Sequence, residues 1–102
     1  MSAPGGGGGD CYDQNDIDNA NKQYPKKAGK FEDHHRIPQF LRGTDADGLY
    51  NLPAAYHQLI TNAWRTQFGY RGDPWYNRPS DPQDINDFAD KLEKQYPLKP
   101  CQ

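Results

Sequence analysis

The sequence predicts a small α+β domain, in which a short β-hairpin and the helix that follows it form a ββα core flanked by N- and C-terminal helices. Three observations predict it. Asp47-Gly48 is a hairpin turn signal between two short runs that suit strands. A long apolar stripe at helical spacing follows Pro53. Capping and stop signals bound helical runs near both ends of the chain. With 102 residues, of which 33% are hydrophobic, the chain suffices for one domain with a modest core.

The N-terminal segment is rich in glycine, with five in succession from Gly5 to Gly9. Such a run is costly to order, so residues 1–10 are predicted to be a flexible linker and residues 11–102 the folded domain. The segment lacks the apolar stretch of a signal peptide, and the chain has no apolar run long enough to span a membrane. Both the end of a longer protein and an added linker fit this composition.

The first predicted helix covers residues 12–24, where acids come early and Lys22 comes late. Ile17, Ala20 and Tyr24 recur at helical spacing, and Pro25 ends the helix.

The centre of the chain predicts the order strand, turn, strand, helix. Phe31 is expected to point inward from the first strand, and a brief helical turn from Pro38 to Arg42 is expected to stop at Gly43. Leu49-Tyr50 is the predicted second strand. A helix then starts at Pro53, with a predicted buried stripe made of Leu52, Ala55, Tyr56, Leu59, Ile60, Ala63, Trp64 and Phe68.

The last predicted helix follows the cap Ser80-Asp81-Pro82 and continues to about Tyr96. Its predicted inward side chains are Ile85, Phe88, Ala89 and Leu92. Its acidic face, predicted to be solvated, carries Asp84, Asp87, Asp90 and Glu93. The aromatic loop 69–79 before it suits packing over the core or stacking on bases.

Cys11 and Cys101 lie at the two edges of the folded part. A bridge between them would close nearly the whole domain and contribute roughly 2–4 kcal/mol. In a cytosol both thiols would stay reduced, so the sequence leaves both states open.

All the histidines fall within 24 residues, as the pair His34-His35 and the single His57, with Asn51 between them. Metal-assisted phosphodiester hydrolysis needs a base that is neutral near pH 7, a ligand for a divalent cation and an orienting amide. Imidazole and asparagine side chains supply these groups. Adjacent histidines on an extended segment point to opposite sides, which suits a division of labour.

These residues resemble the His-Asn-His (HNH/endonuclease VII) superfamily of ββα-metal nucleases, in the double-histidine form of bacterial polymorphic toxin domains. The resemblance covers residues 30–62, and its motifs are Asp33-His34-His35-Arg36-Ile37-Pro38, Gly43, Asn51-Leu52 and His57. It implies a metal-dependent endonuclease, for which DNA is expected ahead of RNA as the substrate although no base-reading element distinguishes them, with one divalent ion: Mg²⁺, Mn²⁺, Zn²⁺ or Ni²⁺.

Carried over by position, the resemblance makes His35 the general base, Asn51 the central asparagine, and His34 and His57 metal ligands. A second register, with Asp33 as ligand and His34 as base, fits the same spacing.

The chain departs from many members of the superfamily in the helix, where Thr61 stands at the position of a further histidine. The metal shell is therefore expected to be completed by water, phosphate oxygens or Asn62.

The charge balance argues against a nucleic-acid enzyme, because 12 basic residues face 14 acidic ones and the net charge is −2. The position of the charges weakens this argument, since the basic residues between Lys22 and Arg42 coincide with the histidine motif. Arg36 and Arg42 are the candidates for phosphate contacts, or they pair with local acids.

The resemblance further implies a C-terminal toxin module of a secreted antibacterial effector, delivered by a secretion system into the target-cell cytoplasm and neutralised by a cognate immunity protein. The alternative is a non-catalytic metal-binding or interaction domain, in which the histidines hold a structural metal or pack.

Overall fold

The structure, a computed structural model, describes residues 11–69 and 81–101, without the side chain of Phe40. This part of the chain contains three α-helices and one antiparallel hairpin, which is the predicted α+β class. The elements in order are α1 (Gln14–Gln23), β1 (Phe31–His35), β2 (Leu49–Pro53), α2 (Ala54–Phe68) and α3 (Pro82–Gln95). The predicted linker 1–10 and residues 70–79 of the predicted loop lie outside the described residues. None of the described helices is long and apolar enough to cross a membrane.

Helix α1 begins with a reciprocal capping box. The side chain of Asp13 accepts a hydrogen bond from the backbone of Asp16, and Asp16 accepts one from the backbone of Asp13. Ala20 is fully buried, and the helix ends before Pro25, as predicted.

The hairpin pairs Phe31 with Pro53 and His35 with Leu49 at its two ends. Side chains alternate between the two faces along a strand, so Glu32 and His34 lie on one face of the hairpin, and Phe31, Asp33 and His35 lie on the other. The prediction that Phe31 points inward is wrong: 63% of Phe31 is exposed. The alternation decides this, because burying His34 on the helix side turns Phe31 outward.

The segment between the strands contains two short 3-10 turns, Gln39–Leu41 and Asp45–Asp47. The first turn ends at Leu41, one residue earlier than predicted, and its C-cap is Arg42, in the left-handed conformation with φ 67°, in place of the predicted Gly43. Gly43 has a different role: a Cβ there would come within 1.6 Å of the carbonyl oxygen of Ile37. Glycine is therefore needed for close packing of the backbone.

Strand β2 is longer than predicted, because it continues to Pro53 and includes Asn51. Pro53 is the N-cap of α2 and not its first residue, and the amide of Ala54 donates to the carbonyl of Lys30 at 2.8 Å. The hairpin thus passes directly into the helix. The largest fully buried side chains lie at this junction and along the predicted stripe: Trp64, Tyr56, Leu52 and Ile60.

Helix α3 starts after Asp81, whose carboxylate caps the amide of Gln83 at 2.9 Å. The predicted inward residues are confirmed: Ile85, Ala89 and Leu92 are buried and Phe88 packs against the core. The prediction of a merely solvated acidic face is wrong for two of its members, because Asp90 and Glu93 bind Arg36.

The ends of the described chain lie side by side. Cys11 and Cys101 form a disulfide, the state that the sequence left undecided. Next to it, the amide of Tyr12 donates to the carbonyl of Lys99, and the amide of Cys101 donates to the carbonyl of Tyr12. The disulfide therefore lies beside a short backbone pairing between the two ends of the described chain.

Candidate functional site

The two faces of the hairpin give the histidines different surroundings. His34 faces α2 and its ring contacts that of His57, in the first turn of the helix, with centroids 5.1 Å apart and planes at 61°. The junction of hairpin and helix thus brings together two of the predicted metal ligands. The contact depends on the direct passage from β2 into α2, which sets the start of the helix against β1.

His34 is a buried imidazole, with 4% of its surface exposed. Burial disfavours the charged ring, and the nearby imidazoles of His57 and then His35 repel a second positive charge, so the pKa of His34 is lowered to about 3. His34 is therefore neutral at pH 7, which is the state that a metal ligand requires. The same low pKa makes it a weak general base and favours the register in which His34 is a ligand.

Glu32 shares the helix-facing side of β1 with His34. Its Oε1 lies 2.9 Å from Nδ1 of His57, and its Oε2 lies 3.5 Å from Nζ of Lys27. Burial raises the pKa of Glu32, but the hydrogen bond of His57 and the charge of Lys27 outweigh it and hold the pKa below its usual value. Sequence reasoning missed Glu32, although the period of two along a strand places it beside His34.

His35 lies on the opposite face of β1, as the alternation predicts, and it is partly exposed. Its Nε2 lies 2.7 Å from Oδ1 of Asp45, in the second 3-10 turn. A carboxylate at this distance orients the ring and fixes which nitrogen carries the proton, as a general base requires. Asp45 gave no signal in the sequence, because the fold of the interstrand turn alone brings it to His35.

Asn51 is exposed on the same face as His35, where its Nδ2 donates to Oδ1 of Asp33 at 3.1 Å. The two residues are direct partners in the hairpin register. This bond ties the two strands together beside the histidine pair, which is one of the roles that an uncharged amide can fill.

Asn62 lies further along α2 in a separate polar network. Its Nδ2 donates to the hydroxyl of Tyr24 at 2.6 Å, and its Oδ1 accepts from Gln58 at 2.8 Å. Both ends of the amide are thus engaged: Nδ2 joins α2 to Tyr24 at the end of α1, and Oδ1 accepts a hydrogen bond within α2. A ligand role would require Asn62 to leave these partners.

The two predicted phosphate-binding arginines differ. Arg36 binds Asp90 and, at 2.5 Å, Glu93, so it pairs with acids that are distant in sequence. Arg42 is exposed in its left-handed conformation and has no ion-pair partner within the described residues. Arg42 is therefore the better placed of the two to meet a phosphate.

The donor set fits a divalent cation in part. Within residues 11–69 and 81–101, no group of three or more His, Cys, Asp or Glu side chains is arranged to hold a metal. The pair His34 and His57 offers two imidazole nitrogens, which suit Zn²⁺ or Ni²⁺ more than Mg²⁺ or Mn²⁺. Two protein ligands would leave the other positions to water and phosphate oxygens.

A small cavity lies beneath His34, between α2 and α3, where Trp64, Leu92 and Glu93 contribute to its lining. Its volume of about 10 Å³ is room for roughly one water molecule.

Comparison with known proteins gives no relative: no protein family, curated protein or solved structure matches this chain.

Proposed function

We propose that this protein is a metal-dependent endonuclease of the HNH type that hydrolyses phosphodiester bonds, with DNA as the first substrate to test and RNA as the second. The observation that carries the proposal is the contact between His34 and His57, which joins β1 to the first turn of α2. A neutral buried imidazole facing a second one, at a hairpin that leads directly into a helix, supports the ββα-metal interpretation of the sequence.

In this proposal His34 and His57 would hold a divalent cation, and a bound cation would neutralise charge on the scissile phosphate and its leaving oxygen. His35, oriented by Asp45, takes a proton from the attacking water. Asn51 fixes the two strands beside it through Asp33.

Arg42 is the phosphate contact that the exposed surface supports. Arg36 is proposed to act structurally instead, since its guanidinium is bound to two carboxylates of α3.

The biological setting that we propose follows from the resemblance to polymorphic toxin domains. The protein would act as a toxin delivered by a secretion system into a rival cell, and a cognate immunity protein would neutralise it in the producer. Loss of growth on expression in bacteria is the expected result, and the absence of toxicity would contradict this setting.

The central test is cleavage of supercoiled plasmid with EDTA and with Mg²⁺, Mn²⁺, Zn²⁺ or Ni²⁺. His35→Ala is expected to abolish nicking and leave metal affinity nearly intact, whereas His34→Ala and His57→Ala weaken both. Gln95→Ala, at the exposed end of α3, is the control that should cut like the wild type. Full activity of His35→Ala would refute the base assignment.

A second candidate is a non-catalytic metal-binding or interaction domain. It is favoured by the engagement of Arg36 with acids and by the small donor set within the described residues. Metal binding without cleavage of either plasmid or RNA would support it over the nuclease.

A further inference from the structure

We propose that Glu32 is a positioning residue for His57: its carboxylate holds the neutral imidazole in the Nδ1–H form and leaves Nε2 as the bare nitrogen. The inference deepens the proposed function and rests on it for the metal, because a histidine binds a metal through an unprotonated nitrogen.

The geometry fixes the direction of the hydrogen bond. Oε1 of Glu32 lies 2.9 Å from Nδ1 of His57. An ionised carboxylate only accepts hydrogen bonds, so Nδ1 must carry the proton and donate it. In a neutral imidazole the other nitrogen, Nε2, is then the lone-pair nitrogen.

Glu32 is itself held in place on two sides. Its second carboxylate oxygen lies 3.5 Å from Nζ of Lys27. Its backbone lies in β1 opposite Leu52, a fully buried residue of β2. The carboxylate is thus presented from a paired strand to the first turn of the helix, and the bond to His57 spans the two elements.

The tautomer matters because His57 contacts His34. Without an acceptor at Nδ1, the ring of His57 is free to carry its proton on Nε2, and that nitrogen then cannot bind a cation. Ligating histidines generally donate their other N–H to a carboxylate or carbonyl, and loss of this partner typically lowers metal affinity by about 10–100-fold. Glu32 fills this role for His57.

The first test needs neither metal nor substrate. Nitrogen-15 NMR of the metal-free protein at about pH 8.5, well above the ordinary imidazole pKa of about 6.5, identifies the protonated nitrogen of His57. We expect the Nδ1–H form in the wild type and a shift toward Nε2–H in Glu32→Ala. Glu32→Gln, whose amide oxygen still accepts, should retain Nδ1–H. Lys27→Met is the matched control, because it removes the other partner of Glu32 and should leave the tautomer unchanged.

The second test measures affinity for Zn²⁺ by competition with a chelator. Glu32→Ala should bind about 10–100-fold more weakly than the wild type, and Glu32→Gln should recover most of the loss. An Nε2–H tautomer in the wild type, an unchanged tautomer in Glu32→Ala, or an unchanged Zn²⁺ affinity in that variant would overturn the proposal.

The two proposals fail separately. If the protein cuts no nucleic acid but Glu32→Ala loses the Nδ1–H form, the positioning role of Glu32 stands and the nuclease proposal fails. If the protein cuts plasmid but His57 of the wild type is in the Nε2–H form, the nuclease proposal stands and the role of Glu32 fails.

Discussion

His34 and His35 are neighbours in sequence but have different chemistry, because the strand turns them to opposite faces. His34 is buried against His57 and neutral, whereas His35 is partly exposed and pairs with Asp45. The helix-facing imidazole of His34 and the outward-facing imidazole of His35 thus have different environments. At the residue scale, the backbone alternation of β1 places one histidine in the core and its neighbour at the surface.

Protonation of His34 should destabilise the protein in acid. Its folded-state pKa of about 3 lies below the unfolded value of about 6.5, so the unfolded chain binds the extra proton. The free energy of unfolding is therefore expected to fall as the pH drops from about 6.5 toward 3, by up to about 1.4 kcal/mol per pH unit from this group.

Urea unfolding of the wild type and His34→Gln between pH 7.5 and pH 4 measures this slope. His34→Gln should show a shallower loss of stability in acid. Gln95→Ala, an exposed change at the end of α3 that removes no titrating group, is the control and should keep the wild-type slope. Parallel curves for the wild type and His34→Gln would contradict the assignment.

At the scale of elements, Arg36 connects the hairpin to α3. It follows His35 directly, and its guanidinium binds Asp90 and Glu93, one turn apart on the helix. The side chain of Arg36 is only 18% exposed, against 40% for Glu93 and 68% for Asp90. The better-shielded pair should therefore contribute more to stability, since solvent screens exposed charges.

A double-mutant cycle tests this connection. The coupling between Arg36→Ala and Glu93→Ala is expected to be about 1–2 kcal/mol, and that between Arg36→Ala and Asp90→Ala below about 1 kcal/mol. Chemical unfolding with urea at low and high salt gives both values, and the coupling with Asp90 should weaken more in salt. A coupling near zero for Glu93 would show that Arg36 does not hold α3.

The segment between the strands depends on Gly43. Because a Cβ there would overlap the carbonyl of Ile37, Gly43→Ala must displace backbone and should cost more than about 3 kcal/mol. Gly29→Ala is the matched control: its Cβ would meet nothing within 4 Å, and its φ of 78° should cost only about 1 kcal/mol. Thermal unfolding of the two variants compares them, and equal losses would contradict the packing argument.

At the scale of the whole molecule, the disulfide between Cys11 and Cys101 joins residues 90 positions apart. It closes almost all of the described chain into one loop. Such a loop restricts the unfolded ensemble strongly, and a reducing compartment such as a cytosol would break the bridge. The stability of the domain should thus depend on the redox conditions in which it is placed.

Reduction of the bridge is expected to lower the free energy of unfolding by about 2–4 kcal/mol. For a domain of this size, each kcal/mol corresponds to about 4–8 °C in Tm. Calorimetry with and without a phosphine reductant measures the change. The double variant Cys11→Ser with Cys101→Ser is the control, and its Tm should be low and insensitive to the reductant. An equal Tm for the oxidised and reduced wild type would contradict the prediction.

The local elements were predictable because their signals are local. The proline stop of α1, the cap of α3, the stripe of α2 and the turn before β2 can all be found within short windows of sequence. Phe31 shows where this fails: its inward direction was predicted from hydrophobicity, but the pairing of β1 with β2 turned it outward. The partners of Arg36 were not predicted for a similar reason, since they lie on a helix more than 50 residues away in sequence.

By itself, the sequence determined the class of the fold and the order of its elements, because composition, periodicity and caps act over a few residues. The tertiary structure alone decided that His34 contacts His57, that Glu32 bonds to His57 and that Asp45 bonds to His35. It also decided that Cys11 and Cys101 are bridged. Strand register and the passage of the hairpin into α2 set these contacts. Such long-range geometry has no counterpart in a short window of sequence.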